Sequence, residues 1–526
     1  MRAEDRQRIQ VEVAQRVVDR YAAQAGAAPE GFLQTVVNDT IYHERRRLSK
    51  AGRAETKDER AYYKRAARRL RRASETELRA LLDDMARRFV AEVVGNFDPR
   101  VYQLSTTVIP TALSLLLHAM SPMRLLALDG VRRGLADHLK VQGATAHACG
   151  LLAHGTLVVV PTHSSNLDSI LLGYAAHLLG LPPLLYGAGL NLFTNPLISF
   201  FMRNLGAYRV DRRKTAGLYK EVLKEYATCA TEMGYHQLFF PGGTRSRSGA
   251  LERQVKKGLL GTAVRAYVNN LLAGRPRPKV FIVPCTISYA LVLEAETLMA
   301  DHLKETGKAR YIIDDDEFSR PRRIANFLGN AISLDDEIVI TVSPPLDVLG
   351  NPVDEAGNSL DPRGRPVDTR TYVSRDGAPV ADEQRDMEYT NEVAEAVCQS
   401  YRRDNVLMTT NVVARALFDL MQRANPMLDL YRLLRTGGRV ASYPLAELHA
   451  ETERLLGAVR RQGPGPRLCD RLRTGEAQDV VADALAHFGT YHTRPPAVRR
   501  GDRVFHDNRN LLLYYGNRLN GYPLSR

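Results

Sequence analysis

The sequence predicts an α/β fold in which a mixed, largely parallel sheet is flanked by helices and extended by helical regions at both ends. Two observations lead to this prediction. Between about residues 150 and 345, short and solidly apolar runs alternate with helical patterns, as expected for parallel strands that are covered on both faces. Charge-rich segments with apolar residues at helical spacing lie on either side of that region.

The first region, residues 1–100, is predicted to be helical because Gly and Pro are few and apolar residues recur at helical spacing. Between Glu44 and Ala73 it contains 13 Lys or Arg residues and 4 Asp or Glu residues. Two interpretations of this charge stay open. It is either a solvated helix face or a surface attracted to anionic lipid headgroups, where each basic residue contributes about 1 kcal/mol.

The second region, residues 101–350, is predicted to be the α/β domain, with four strands and helices between them. The predicted strands are Thr156–Pro161, Gln237–Phe240, Lys279–Pro284 and Glu337–Val342, and the predicted helices include Ser169–Leu179 and Leu218–Met233. Residues 351–387 are rich in Pro, Gly and Asp and are predicted to form a loop or insertion. Residues 388–526 are predicted to be helical to the end.

The most apolar segment of the chain is Val108–Leu128, which is the strongest candidate for a membrane span. It is interrupted by Pro110, His118, Pro122 and Arg124, so its longest clean stretch falls short of the roughly 18 residues that a span needs. We therefore predict a buried or interfacial helix pair here.

The net charge of +14 implies an anionic partner: nucleic acid, a phosphorylated substrate or a membrane surface. The basic helices contain few aromatic residues and no recognisable nucleic-acid motif, so no nucleic-acid partner is predicted. The five cysteines are scattered without C-x-x-C spacing, and no cluster of metal ligands is visible in the sequence. We expect no metal, no cofactor and a reducing compartment.

A histidine and an aspartate follow the first predicted strand in the segment THSSNLD. Five residues along one helix are separated by about 140°, so the two side chains cannot face one point from a continuous helix. If His163 lies in the turn before the helix and Ser165 or Asn166 is the N-cap, the ring can fold back onto Asp168 in the first helical turn. The carboxylate would then fix the tautomer, and the other ring nitrogen would act as a base.

This segment resembles the first signature block of the glycerolipid acyltransferases, and three more blocks follow in the family's order. GAYRVDR at Gly206–Arg212 resembles the second block, FFPGGTRSRSG at Phe239–Gly249 the third, and FIVPCTISY at Phe281–Tyr289 the fourth. GAGLNL at Gly187–Leu192 and the segment EAETLMADHL are similar to the glycerol-3-phosphate branch of the family. Four ordered blocks are much stronger evidence than any one of them.

The resemblance implies that His163 and Asp168 are catalytic and that basic residues bind the substrate phosphate. Guanidinium groups match phosphate geometry, and the alternative for each one is a surface charge or a structural ion pair. The predicted phosphate ligands are Arg212, Arg245, Arg247 and Lys257. The residues predicted to shape the pocket are Asn191, Gly243, Thr244, Ser246 and Pro284. Backbone N–H groups near His163 are expected to stabilise the oxyanion.

Two positions depart from the family pattern. The third block usually has a glutamate before its glycine, and here that position is Gly242. The first block often has an arginine after its histidine, and here Ser164 stands there. Absence of the carboxylate bears on which acceptor is used and, to a lesser degree, on activity.

The function that the resemblance implies is transfer of a fatty acyl group from acyl-CoA or acyl carrier protein to the sn-1 hydroxyl of glycerol 3-phosphate. The alternatives are lysophosphatidate or dihydroxyacetone phosphate as the acceptor, or a catalytically silent, lipid-binding relative. The expected partners are glycerol 3-phosphate, an acyl thioester and an anionic membrane surface. Peripheral association with the cytoplasmic face of a membrane is the expected location.

Overall fold

The computed structural model describes residues 1–52, 56–106, 139–189, 196–306, 338–462 and 466–524. Four helices form the N-terminal region, as the helical spacing of its apolar residues predicts. They are α1 (Ala3–Ala27), α2 (Phe32–Ser49), α3 (Lys57–Leu70) and α4 (Glu75–Val93). Helix α4 begins with a capping box, in which the Ser74 and Glu77 side chains accept each other's backbone N–H groups.

A seven-stranded sheet forms the centre of the molecule. Its strands are β1 (Leu139–Gly143), β2 (Gly155–Pro161), β3 (Leu185–Gly189), β4 (Ala207–Val210), β5 (Gln237–Leu238), β6 (Lys279–Ser288) and β7 (Ile338–Val342). The helices of this region are α5 (Thr145–Gly150), α6 (Asp168–Leu178), α7 (Pro196–Asn204), α8 (Gly217–Glu232), α9 (Lys257–Leu272) and α10 (Ala295–Thr306), with a 3₁₀ turn at Leu151–Ala153.

The strand order is β1-β7-β6-β2-β5-β3-β4, and every pair is parallel except β6 with β7. The predicted fold class, a mixed and largely parallel sheet flanked by helices, is therefore confirmed. Strands β1, β3 and β4 were not predicted, because they are only four or five residues long and have polar residues or glycine among their apolar ones. Strand β6 continues four residues beyond the predicted end at Pro284, since β7 pairs with Cys285–Ser288.

Residues 351–387 form a series of turns with only short regular elements. These are β8 (Ser359–Leu360), β9 (Pro366–Val367), α11 (Thr369–Tyr372), β10 (Ser374–Arg375) and β11 (Ala378–Pro379). Asp354 and Asp361 each accept backbone N–H groups from residues up to four positions along the chain, which closes successive turns.

The C-terminal region is mostly helical. Its elements are α12 (Glu383–Asp404), β12 (Val406–Leu407), α13 (Thr409–Ala424), α14 (Leu430–Thr436), β13 (Ser442–Pro444), α15 (Leu445–Arg460), β14 (Arg467–Leu468), α16 (Asp470–Thr474), α17 (Ala477–Phe488), β15 (Ala497–Arg500), β16 (Arg503–His506) and α18 (Arg509–Gly516), with a 3₁₀ turn at Asn517–Leu519. The prediction of helix to the end missed a three-stranded antiparallel sheet of β13, β16 and β15. These strands are three or four residues long, too short for their alternation to be read from sequence.

Both terminal regions pack against the central sheet. Apolar residues of α13, α15, α17 and α18 share one continuous core with β2, β6 and β7. The N-terminal helices share a second core with α8, and buried ion pairs join the two. In these pairs Arg16 contacts Glu232 at 2.8 Å and Arg20 contacts Glu225 at 2.6 Å, with both carboxylates almost fully buried.

Among the described residues, no helix has the length and apolarity to cross a membrane. The segment Val108–Leu128, which we predict to be a buried or interfacial helix pair, lies outside the described residues.

Candidate active site

The candidate site lies where three neighbouring parallel strands end. His163 follows β2, Phe240 and Gly243 follow β5, and Tyr289 follows β6. Because β5, β2 and β6 are adjacent and parallel, the residues that follow them meet at one edge of the sheet. The sequence placed His163 at this edge, and the structure confirms that position.

The His163 ring is held by the Asp168 carboxylate. Nδ1 of His163 lies 2.9 Å from Oδ2 of Asp168, and the carboxylate is fully buried. The same oxygen accepts the backbone N–H groups of Ser164 at 2.7 Å and Ser165 at 2.9 Å, and the other oxygen accepts the Tyr289 hydroxyl. The carboxylate is an acceptor for all these groups, so Nδ1 carries the proton and Nε2 is the basic nitrogen.

Helix α6 begins at Asp168, so His163 lies in the turn before the helix, as the spacing predicts. The predicted N-cap at Ser165 or Asn166 is wrong, because Leu167 directly precedes the helix and makes no side-chain cap. The Ser165 hydroxyl accepts the N–H of Leu167 at 3.2 Å and donates to Glu294 at 2.7 Å instead.

The environment of His163 favours the neutral imidazole. Only 12% of the side chain is exposed, and the ring stacks on Phe240 with centroids 4.0 Å apart. Burial lowers the pKa of His163, Asp168 opposes that shift, and the nearby guanidinium groups of Arg245 and Arg212 lower the pKa further. A neutral ring with one nitrogen anchored is the state that a general base requires.

The loop between β5 and α9 closes over the backbone of His163. Ser246 donates its N–H to the carbonyl of His163 at 2.7 Å, and its hydroxyl donates to Ala250 at 2.6 Å. Gly243 has a φ of +77°, and a β-carbon there would lie only 2.5 Å from Nζ of Lys256. The glycine thus allows both the left-handed turn and the close approach of the lysine.

Arg245 forms a buried ion pair rather than a free cation. Its Nη1 lies 3.2 Å from Oε1 of Glu294, a residue with no exposed surface. Glu294 also accepts the Ser165 hydroxyl and the N–H of Asn166 at 3.0 Å. Arg245 therefore connects the third block to the histidine loop, which is the structural alternative that the sequence left open.

The two other predicted arginines differ in their partners. Arg247 pairs with Glu305, whereas Arg212 is exposed and forms no ion pair within the described ranges. Although Arg212 is exposed, neighbouring atoms remove part of its solvation and lower its pKa, and the charges of Arg245 and Arg247 lower it further. Because these three guanidinium groups repel one another, an anion that binds beside them would be stabilised.

Of the adjacent lysines, the one beside the arginines is Lys256 and not the predicted Lys257. Lys257 is the exposed first residue of α9 and makes no described contact with the cluster. Partial burial and the charge of Arg212 lower the pKa of Lys256. The two residues are consecutive, so sequence spacing could not tell them apart.

The remaining predicted pocket residues are dispersed. Thr244 is partly exposed in the same turn as Gly243, and Pro284 lies within β6 opposite Val160. Asn191 lies outside the described residues. The sequence led us to expect that backbone N–H groups near His163 stabilise the oxyanion. Those of residues 164–166 do not, because they all bind the carboxylates of Asp168 and Glu294.

Sequence reasoning gave no role to three acidic or phenolic groups at the site. Tyr289 ends the fourth block and Glu294 opens the segment EAETLMADHL, so both lie inside segments that resemble the family. Glu252 lies outside every such segment, and only the fold shows that it reaches His163.

An apolar cavity lies between α6 and the sheet. Its walls include Leu172 and Ala175 of the helix and Val159 and Val283 of the strands. Almost all of its lining is hydrocarbon, which suits an apolar guest.

The fold and this geometry define an acid–base site: a carboxylate-held imidazole at the strand ends, beside a group of cations. The family model described as Acyltransferase matches residues 139–288, which include β1 to β6 and the histidine loop. Residues 139–288 therefore match the acyltransferase family, and the resemblance of the four blocks is confirmed.

Curated relatives named glycerol-3-phosphate acyltransferase match the same part of the chain. One from Pseudoalteromonas translucida is 37% identical over 186 residues, which are 35% of this chain and 22% of that protein. One from Pseudomonas syringae pv. tomato is 30% identical over 188 residues, which are 33% of this chain and 22% of that protein. The matched part spans only about a fifth of each relative.

A solved structure is also similar at a low level: a 1-acyl-sn-glycerophosphate acyltransferase from Thermotoga maritima. It is 16% identical and covers 56% of this chain and 96% of its own, with a TM-score of 0.25. At a TM-score this low, the likeness supports no conclusion about the acceptor of this chain.

Proposed function

We propose that this protein transfers a fatty acyl group from acyl-CoA or acyl carrier protein to the sn-1 hydroxyl of glycerol 3-phosphate. The observation that carries the proposal is the His163–Asp168 pair, 2.9 Å apart at the strand ends, with Arg212 near it and unpaired among the described residues. The names of the matched relatives support glycerol 3-phosphate as the acceptor.

In the proposed reaction Nε2 of His163 accepts the proton of the substrate hydroxyl. The oxygen attacks the thioester carbonyl carbon, the C–S bond breaks, and the leaving thiolate takes the proton from the imidazolium. The products are an ester and a free thiol, and no group on the enzyme becomes acylated. Asp168 holds the ring and stabilises the transient imidazolium.

The phosphate of the acceptor would bind beside Arg212. Arg245 is already neutralised by Glu294 and Arg247 by Glu305, whereas Arg212 has no acidic partner in the described part of the chain. A dianion there would relieve the repulsion between the three guanidinium groups and add charge-assisted hydrogen bonds. The acyl chain requires an apolar site, for which the cavity under α6 has suitable walls.

Peripheral binding to the cytoplasmic face of a membrane is the second part of the proposal. Helix α3 presents Lys64, Arg65, Arg68 and Arg69 to solvent, and within the described ranges none of these four forms an ion pair. Its buried face packs inward through Tyr63, Ala66 and Leu70. The basic face of α3, defined by those four residues, suits anionic headgroups.

The alternatives are lysophosphatidate or dihydroxyacetone phosphate as acceptor, and a catalytically silent lipid-binding protein. The feature that favours a catalytically silent protein is Gly242, where the family pattern has a glutamate. Release of thiol from acyl-CoA or acyl carrier protein, measured with each of the three acceptors, separates these possibilities. We expect glycerol 3-phosphate to give the highest kcat/KM, and no release with any acceptor would contradict the enzymatic proposal.

The decisive variant is His163→Ala. General-base catalysis contributes about 10²–10⁴-fold, so kcat is expected to fall by that factor while the circular dichroism spectrum stays unchanged. His154→Ala removes an exposed histidine just before β2 and serves as the matched control with unchanged kcat. Full activity of the His163→Ala variant would contradict this mechanism.

A further inference from the structure

Glu252 holds the backbone of the histidine that the mechanism depends on. Its Oε1 accepts the N–H of His163 at 3.0 Å, while Ser246 from the same loop donates to the carbonyl of His163. Both backbone polar groups of His163 are thus bound by the segment between β5 and α9. The ring is held separately by Asp168.

The Glu252 carboxylate also occupies the space in front of Gly242. A β-carbon at position 242 would lie 3.2 Å from both Cγ and Oε1 of Glu252. Gly242 is not among the glycines with positive φ, so its backbone conformation is open to other residues. The space is occupied by the side chain of Glu252, ten positions further along the chain.

This carboxylate is in an environment that is costly for a charge. Its Oε2 is buried and has no hydrogen-bond partner in the described part of the chain. Burial raises the pKa of Glu252, and the hydrogen bond from His163 and the charge of Arg518 oppose that rise. An unsatisfied buried oxygen is unfavourable, so the position of this side chain depends on its other contact, the hydrogen bond from the backbone N–H of His163.

We infer that Glu252 is a positioning residue for His163, and that it supplies from a different point of the chain the carboxylate that is missing at Gly242. The inference rests on the proposed function, in which His163 is the base. Glu252 does not contact substrate, because its free oxygen is enclosed. It acts by fixing the backbone from which the imidazole extends.

The expected consequence of losing this contact is a misplaced base. Without an acceptor the buried N–H of His163 is unsatisfied, and the loop relaxes to find one. A displacement of about 1 Å at a catalytic group can cost on the order of 100-fold in rate. Binding of glycerol 3-phosphate depends on the cations instead and is expected to change little.

The test compares three variants of the full chain: Glu252→Ala, Glu252→Gln and Gly242→Glu combined with Glu252→Ala. We expect alanine to lower kcat by about 10- to 100-fold, with less than about a threefold change in KM for glycerol 3-phosphate. Glutamine keeps an acceptor oxygen and is expected to retain most of kcat. The double variant restores a carboxylate from position 242 and is expected to recover at least about half of the logarithmic loss.

Gln254→Ala, an exposed change in the same loop, is the matched control and is expected to leave kcat unchanged. Unchanged kcat in Glu252→Ala would overturn the inference. A double variant no more active than Glu252→Ala would overturn the equivalence of the two positions. Circular dichroism and thermal unfolding of each variant show whether a loss comes from misfolding.

A readout independent of turnover separates this inference from the proposed function. The imidazole signal of His163 in an NMR spectrum, assigned with the His163→Ala variant, reports the hydrogen bond to Asp168. If the wild type has no activity, the proposed function fails, and a shifted His163 signal in Glu252→Ala still supports the positioning role. An unshifted signal together with unchanged unfolding would contradict it.

Discussion

Two groups of positive charge in this molecule stand in opposite surroundings. The basic face of α3 carries four cations that are exposed and unpaired among the described residues. At the candidate site Arg245 and Arg247 are partly buried and paired, and they lie near enough to Arg212 to lower its pKa. Solvent screens the first group, while the protein concentrates the field of the second.

Net charge alone therefore says little about which anion a group of cations binds. An exposed helix face attracts any anionic surface weakly and loses that attraction in salt. Cations held close together by a fold are destabilised until an anion arrives, so they can favour one ligand of fitting geometry. The first group is suited to a membrane and the second to a phosphate.

The largest effect is expected from neutralising the basic face of α3. Changing Lys64, Arg65, Arg68 and Arg69 to Gln keeps helix-forming residues but removes four charges. At about 1 kcal/mol per charge, binding to phosphatidylserine-containing vesicles at low salt should weaken on the order of 1000-fold. Vesicle sedimentation measures this loss of binding.

The matched control for this change removes four exposed charges elsewhere. Replacing Arg432, Arg435, Arg471 and Arg473, on α14 and α16, by Gln alters net charge equally. We expect this control to bind vesicles at least about ten times more tightly than the α3 variant. Equal losses would mean that overall charge and not the α3 face attracts the membrane.

The next effect concerns the unpaired cation of the site. Arg212→Ala should raise KM for glycerol 3-phosphate by about 10- to 100-fold, because hydrogen bonds to charged groups contribute about 1.5–3 kcal/mol. Steady-state kinetics of Arg213→Ala is the control, since Arg213 points its guanidinium to Asp211 at 3.1 Å. If both variants keep the KM of the wild type, the phosphate binds elsewhere.

The smallest effect is a shift in pH dependence. Tyr289→Phe removes the hydroxyl that donates to Asp168, so the carboxylate attracts a proton on His163 more strongly. The pKa of His163 therefore rises, the ring becomes protonated at higher pH, and the acid limb of kcat/KM moves upward by less than about one unit. Rate profiles between about pH 5 and 8 measure this, and a limb that moves downward contradicts the assignment.

The fold class and the His163–Asp168 pair were predictable because local sequence contains their physical cause. Solidly apolar runs predicted β2, β5, β6 and β7, since buried parallel strands tolerate few polar residues. The five-residue spacing of His163 and Asp168 predicted a ring folded back from a turn, and the 2.9 Å contact confirms it. Residues in contact and close in sequence can be paired without knowing the fold.

Partners far apart in the chain could not be predicted in this way. Glu294 lies 49 positions from Arg245, and Glu252 lies 89 positions from His163, yet both pairs are in contact. Nothing in the spacing of such residues indicates which arginine is neutralised and which is left for a ligand. Likewise, only the structure shows that Lys256 and not Lys257 lies against Gly243.

The α/β class, the histidine–aspartate pair and the excess of positive charge follow from the sequence alone, because hydrophobic periodicity, short-range spacing and composition are properties of the chain. Which cations are paired, which N–H groups are occupied and which carboxylate lies against Gly242 could be known only from the folded structure. Those outcomes depend on which strand ends and loops lie at the same edge of the sheet, and the packing of segments far apart in the sequence determines that.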